Sequence, residues 1–384
     1  MITRTATSYL KKLAAGFRSV AVVGPRQSGK TTLCKTVFPK KLYVSLENTD
    51  TREFAMKDPR SFLREYKDGA ILDEVQKAPE LFSYLQQVLD ETKKSGLFIL
   101  TGSNNFLMQE NISQTLAGRV GYLHLLPLSI HEIESNTKLK KHYSHHIFNG
   151  CYPEVVTKSK VNAYNWYANY INTYIERDVR QLKNIGNLSM FLKFTKLCAG
   201  RTGQILNLTS LGSDCGIDQK TAGAWLSILQ SSYVVMLLSS YNNNFNRRII
   251  KSPKMYFYDT GVACSLLGIE NEKQLVTHHS KGSLFENFII IDMLKARYNK
   301  GLSNNLYYFR DKTGNEVDVI ADTAGKLTAT EIKSGETIST DFFGGLNFFE
   351  NLQSKPIQKV LIYGGNEKQE RSNKIKIKPW NDIY

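Results

Sequence analysis

The sequence predicts an α/β protein organised around an open sheet with a polyphosphate site at the carboxyl ends of its strands. Three observations predict it. An apolar run, Val20 to Val23, leads into Gly24, four further residues, then Gly29, Lys30 and Thr31. At this spacing a strand-to-helix turn presents successive backbone N–H groups, and a helix's positive end, to a phosphate chain. A second apolar strand, in 69–76, ends in the adjacent acids Asp73 and Glu74. Apolar stretches ending near Val23, Leu46, Leu72, Thr101 and Leu126 alternate with helix-compatible segments, the pattern of a sheet covered on both faces, with its ligand crevice beyond the strand ends.

In chain order, the first 18 residues are basic and helix-compatible, with Tyr9, Leu10, Leu13 and Phe17 spaced for a buried stripe. Gly24, Pro25, Arg26, Gln27, Ser28, Gly29, Lys30, Thr31 and Thr32 then form the expected ATP-binding set. Lys30 would reach the β- and γ-phosphates, and Thr31 has the hydroxyl that Mg²⁺ needs. A strand over 41–46 and a polar turn precede a helix-compatible segment, 51–66, broken at Pro59. Asp73 would hold Mg²⁺ or its hydration shell, while Glu74 would accept the proton of the attacking water. A helix over 79–93 buries Leu81, Leu85, Val88 and Leu89.

The next strand ends in Thr101, Ser103 and Asn104. The Ser103 and Asn104 region is expected to sense the γ-phosphate, with a local turn cap as the alternative. Arg119 precedes a fifth strand over 122–126. It either stabilises charge on ATP, within the chain or across a subunit boundary, or closes a salt bridge at the core edge.

At 384 residues the chain is long enough for two or three cores. Its net charge of +15 suits an anionic partner, nucleic acid before an acidic membrane surface, and equally suits solubility alone. The five cysteines show neither paired metal-site spacing nor a disulfide framework, and no apolar stretch is long enough to cross a bilayer. With no cleavable leader in view, a reducing, cytoplasmic setting is the expectation.

In the middle of the chain, Gly150 to Glu154 reads as a turn and 162–183 as a long helix carrying Glu176, Arg177, Asp178 and Arg180, a cluster suited to ion pairing. Helical spacing at 206–211 and 218–229, with strands at 232–239 and 249–258, describes a helix-turn-helix with a wing. Residues 183–254 hold nine Lys or Arg and two Asp, so nine minus two gives +7. Arg201, Lys220, Arg247, Arg248 and Lys251 are the candidates to meet nucleic-acid phosphates. The alternative is a scaffold for protein contact or packing. Trp225 and Tyr233 fit a core at least as well as a base-stacking role.

These motifs, in order, resemble the bacterial and archaeal AAA-type ATPases that carry a DUF4143 carboxy-terminal region. The resemblance rests on 24–31, on 72–76 with Asp73 and Glu74, on 100–103 and 116–119 with Ser103 and Arg119, and on 126–129, 150–154 and 174–178. It implies a P-loop AAA-type ATPase core over 1–133, a helical connector over 134–188, a winged-helix-like domain over 189–265, and a DUF4143-like domain of restriction-endonuclease fold over 266–384. A ring of subunits is compatible with such an architecture but not required by it.

The last segment also resembles the PD-(D/E)xK nuclease fold, with Asp318, Glu331 and Lys333 matching its core motif and Glu286 its preceding helical acid. In a strand Glu331 and Lys333 face the same side. The resemblance implies that Glu286, Asp318 and Glu331 hold Mg²⁺ against a scissile phosphate while Lys333 orients water; the same groups also suit a buried salt bridge. Glu316 reads as a surface acid, Arg310 as a phosphate contact or a neutraliser of these acids, and 374–378 as an edge strand with exposed lysines. The expected function is Mg²⁺-dependent ATP binding and hydrolysis coupled to contact with DNA or another macromolecule. An ATP-regulated, metal-dependent nuclease and a nucleotide-gated protein-binding module are the alternatives.

Overall fold

The computed structural model describes residues 2–103, 115–136, 141–174, 185, 187–241 and 250–383. Asn104, the cluster at Glu176, Arg177, Asp178 and Arg180, and the wing residues Arg247 and Arg248 lie outside them. The chain divides into two compact units: Met1–Leu128 with Ser231–Tyr233 and Lys295–Ser303, and Ser129–Gln230 with Val234–Leu294 and Asn304–Tyr384. This division is coarser than the four segments expected from the sequence.

In the first unit, β1 (Ser19–Val23), β2 (Leu42–Ser45), β3 (Ala70–Asp73), β4 (Phe98–Gly102) and β5 (Val120–His124) make a parallel sheet in the order β2-β3-β4-β1-β5. The central strands β1, β3 and β4 are buried throughout, as uninterrupted apolar runs require when both faces are covered. Successive strand side chains point to opposite faces. Val20, Val22, Ile71 and Ile99 accordingly join one core with Leu10, Leu13 and Leu33, while Ala21, Val23, Leu72 and Leu100 join the other with Phe62, Leu81 and Leu85.

Pro59 does divide its segment, into helices Thr49–Lys57 and Pro59–Glu65, with the Asp58 carboxylate accepting the Ser61 N–H at the second start. Two local expectations need correction. Phe17 is 37% exposed, because the first helix, Thr7–Gly16, ends before it and its extended backbone leaves the buried stripe. The fifth strand starts at Val120 instead of 122, since its register is set by pairing Val120 with Ser19 and His124 with Val23.

In the second unit, helices Leu208–Cys215 and Gln219–Ser231 are joined through Gly216, which has φ 82°, a conformation that favours glycine. The antiparallel pair β6 (Val235–Leu238) and β7 (Lys254–Phe257) follows. Trp225 packs edge-on against Phe191 and Phe194 and belongs to the core. The turn at Gly150 is also structural. The Cys151 N–H donates to Asp259, and a Cβ on Gly150 would lie 2.0 Å from the Tyr167 hydroxyl.

The terminal sheet contains β8 (Leu306–Arg310), β9 (Glu316–Thr323), β10 (Lys326–Lys333), β11 (Gln358–Tyr363), β12 (Gln369–Glu370) and β13 (Ile375–Pro379), in the order β12-β13-β11-β10-β9-β8. β13 buries Ile375 and Ile377 and exposes Lys376 as its alternation predicts, but short β12 covers the edge it was expected to form. The open side of β8 is taken by the chain leaving β6: Tyr241 N–H donates to Tyr308 O at 2.7 Å and Tyr308 N–H to Ser239 O at 3.0 Å. Main-chain bonds thus join the hairpin to the terminal sheet and protect its edge. Among the described residues, no helix is long and apolar enough to cross a membrane.

Candidate active site

The turn between β1 and the helix Lys30–Val37 begins at Gly24, where a Cβ would lie 2.1 Å from the Leu125 carbonyl oxygen, so no larger residue fits. Gln27 and Gly29 have left-handed backbones, φ 60° and 92°, consistent with a loop that folds its amides inward. The Lys30 ammonium is buried and donates to the carbonyls of Gly24, at 3.0 Å, and Pro25, at 2.8 Å. Burial pulls its pKa from 10.5 to about 8, against the opposing pull of Glu74 and Asp73. Ser28 Oγ is buried without a hydrogen-bond partner among the described residues.

Asp73 is the hub of the site. It ends β3 one strand away from Thr101, its register partner on β4, which in turn pairs with β1 on its other side. One Asp73 oxygen accepts the hydroxyls of Thr31, at 3.0 Å, and Tyr43, at 2.7 Å; the other accepts that of Thr101. Glu74 adopts a left-handed conformation, φ 55°, which costs about 1–3 kcal/mol at a non-glycine residue and concentrates at functional sites. Its carboxylate accepts the Ser103 hydroxyl at 3.0 Å and the Gln76 amide. The strand ends therefore bring these residues to one end of the sheet, with Thr31 and Thr101 bonded to Asp73, Ser103 bonded to Glu74, and Lys30 held by the loop carbonyls.

Arg119 stands apart. It precedes β5 at the sheet edge where β1 begins, its carbonyl accepting the Ser19 N–H, and its guanidinium pairs with both Asp90 oxygens at 2.6 and 2.9 Å. Five residues of β1, about 16 Å at 3.3 Å each, separate this edge from Gly24. That corrects the expectation that Arg119 can serve the nucleotide of its own chain, and the salt-bridge alternative describes its position.

Sequence reasoning missed two supports of the loop. Arg4 is buried and donates to the carbonyls of Ser28, at 2.8 Å, and Leu126, at 2.7 Å. Tyr43 holds Asp73 from the neighbouring strand. Neither has a local signature, because Arg4 acts across 24 and 122 residues and Tyr43 across 30.

The acids of the second unit also converge, but onto lysines. Glu286, in the helix Lys281–Asn299, accepts Lys254 Nζ at 3.1 Å and the Tyr256 hydroxyl at 2.5 Å. Lys254 also pairs with Glu316, which pairs in turn with Arg310 at 2.8 Å. Lys333 Nζ lies 2.5 Å from Glu331 and 3.8 Å from Asp318, whose Oδ2 accepts the Ile332 N–H at 2.8 Å. Burial, and next the charge of Asp318, push Glu286 up to about 7 and Glu331 up to about 8.

The Mg²⁺ that the nuclease resemblance implies at Glu286, Asp318 and Glu331 does not fit this arrangement, since the Lys254 ammonium already stands against Glu286, whereas Lys333 beside Glu331 and Asp318 is where the motif itself puts its lysine. Among the described residues no group of three acids, histidines or cysteines could hold a metal ion. Glu316 is likewise an ion-pair partner and not a surface acid.

The basic candidates of the helix-turn-helix region also need sorting. Arg201 is paired with Asp214, whereas Lys220 and Lys251 are exposed.

A phosphate-loop turn, a strand-end acid pair and a parallel sheet that gathers them at one edge define a nucleotide-binding fold of the P-loop ATPase class. A family model agrees with that class. Residues 16–134 match the AAA domain family AAA_14, and residues 281–383 match DUF4143, a domain of unknown function. The chain therefore carries an amino-terminal AAA-type ATPase domain and a carboxy-terminal DUF4143 domain. Residues 140–273 match a further domain of unknown function, DUF8612.

An uncharacterised protein of Mycobacterium tuberculosis is 29% identical over 340 residues, covering 88% of this chain and 75% of the relative. One of Methanocaldococcus jannaschii is 21% identical over 336 residues, covering 78% and 71%. A solved Walker-type ATPase of Pyrococcus abyssi aligns over 68% of this chain and 94% of its own, with 13% identity and a TM-score of 0.45.

Proposed function

We propose that the protein is a Mg²⁺-dependent ATPase whose nucleotide state governs contact with nucleic acid. The observation that carries the ATPase reading is the convergence on Asp73: Thr31, Tyr43 and Thr101 all bond to it beside the buried Lys30. In this reading the amides of 24–32 receive the triphosphate, and Lys30 exchanges the carbonyls of Gly24 and Pro25 for phosphate oxygens. Thr31 and Asp73 hold Mg²⁺, which when bound neutralises charge on the β- and γ-phosphates. Glu74 takes the proton of the attacking water, and Ser103, now bonded to Glu74, positions that carboxylate. Arg119 is left as a residue that only a neighbouring subunit's nucleotide could meet.

Exposed Lys220, near the start of the second helix of the helix-turn-helix, and exposed Lys251 support nucleic acid as the partner. The winged-helix reading of this region belongs to the same proposal. The test is ATP binding by the full chain. Lys30→Ala should weaken it by at least tenfold, and equal affinity in wild type and variant would refute the assignment of the loop.

A further inference from the structure

We propose that the groove between the helices Pro59–Glu65 and Leu81–Glu91 of the first unit is a contact site for single-stranded nucleic acid, at the end of the sheet opposite the phosphate loop. Both helices line it, it encloses about 750 Å³, and it closes on Leu97, the residue before β4. Leu97 stands four residues before Thr101, about 13 Å at 3.3 Å each. The groove and the Asp73 cluster therefore occupy opposite ends of the sheet.

Its floor is apolar: Leu63 and Leu97 are buried, and Val88 packs in part against the same core. Its rim is cationic. Arg60 and Arg64 stand one helical turn apart and share a face, and Lys67 follows in the turn toward β3. All three are exposed, and among the described residues none of them forms an ion pair. Lys94 bonds Asp68 at 3.2 Å, which leaves Glu91 as the one acid of the lining set against these three cations. Like charges held together repel, and an anionic ligand relieves that repulsion.

Beside them Tyr84 is half-buried, with the Arg60 guanidinium carbon 5.9 Å from its ring centre. An aromatic face and a guanidinium are what a base stacks on, while the neighbouring cations take the phosphates. A carboxylate-rich peptide would meet the same cations, but its acids bring no flat ring to Tyr84. Sites of roughly 300–1,000 Å³ enclose drug-sized groups, so the groove takes in a nucleotide or two of a longer strand. The inference rests on the functional reading only in naming nucleic acid as the partner; it adds a contact on the ATPase unit itself.

The experiment uses nucleotide-free full-length protein and a fluorescein-labelled oligothymidine, followed by fluorescence anisotropy over a KCl series. Arg60→Gln combined with Arg64→Gln should weaken binding about fivefold or more and lower the slope of log affinity against log salt by about 1.4, since each phosphate contact on a single strand contributes about 0.7. Tyr84→Leu, which keeps an apolar side chain against the core, should weaken binding about fivefold or more with the slope unchanged. Both variants should keep the wild-type Kd for ATP and the wild-type unfolding midpoint. A salt slope unaltered by the arginine pair, or an affinity unaltered by Tyr84→Leu, would overturn the proposal while leaving the ATPase reading and contact through Lys220 and Lys251 in place. Wild-type protein that binds no oligothymidine, but captures a glutamate-rich peptide through Arg60 and Arg64, would overturn it together with the nucleic-acid reading and assign the groove to a protein partner.

Discussion

Lys30 shows how one residue sets a measurable behaviour. Its ammonium is charged at neutral pH but buried against two carbonyls, and burial lowers its pKa to about 8. Between about 8 and its ordinary 10.5 the unfolded chain holds this proton more tightly than the fold does, so the group makes the nucleotide-free protein more stable as pH rises through that window. Binding of ATP, which pairs with the charged form, should respond in the opposite sense. Its Kd is expected to be flat below pH 8 and to weaken by up to tenfold per unit above it, as read by isothermal titration calorimetry from pH 7 to 9.5. A flat profile across that range would separate Lys30 from the phosphates. The glycines, Lys30, Thr31 and the acid pair were legible in the sequence because their chemistry is fixed by short spacing. Arg4, Tyr43 and Lys254 were not, since each meets its partners only through the tertiary fold.

At the scale of elements, burial pattern and strand phase were the readable quantities. The alternation of Val20, Ala21, Val22 and Val23 between two cores follows from period two, and the central position of β1 from its unbroken apolar run. The start of β5 was misread by two residues because pairing, and not local hydrophobicity, sets where a strand begins. A like lesson holds for β7, whose last residue is stitched to a neighbouring helix by Asn287, fully buried and bonded to both main-chain groups of Phe257 and to Thr202. Asn287→Ala should strand these buried groups and cost about 3 kcal/mol, seen as a lowered midpoint in calorimetric unfolding of the full chain. A change within a few tenths of a kcal/mol would mean that the bonds are replaced by water.

For the whole molecule, composition gave the sign of the charge but not its disposition. Of the nine cations counted over 183–254, Lys254 is sealed among acids and Arg201 is paired with Asp214. Lys193, Lys196, Lys220 and Lys251 are exposed. If Lys220 and Lys251 meet phosphates, replacing both with Glu should lower affinity for duplex DNA and reduce the slope of log affinity against log salt by about 2. Fluorescence anisotropy over a salt series reads both, and an unaltered slope would place the nucleic-acid contact elsewhere or point to a protein partner. The match of the amino-terminal segment to an AAA domain and of the last to DUF4143 agrees with motif order read along the chain. The terminal acids were also found by motif, yet their counter-ions were not, because Lys254 lies 32 residues from Glu286 and 62 from Glu316.

The central claim is that Glu74, poised in a strained backbone beside Asp73 and the phosphate loop, activates water against ATP. Steady-state ATP hydrolysis with Mg²⁺, measured beside nucleotide affinity for wild type and Glu74→Gln, tests it most directly. The rate should fall by about 10²-fold or more while the Kd for ATP stays within a few-fold. An undiminished rate in Glu74→Gln would contradict it.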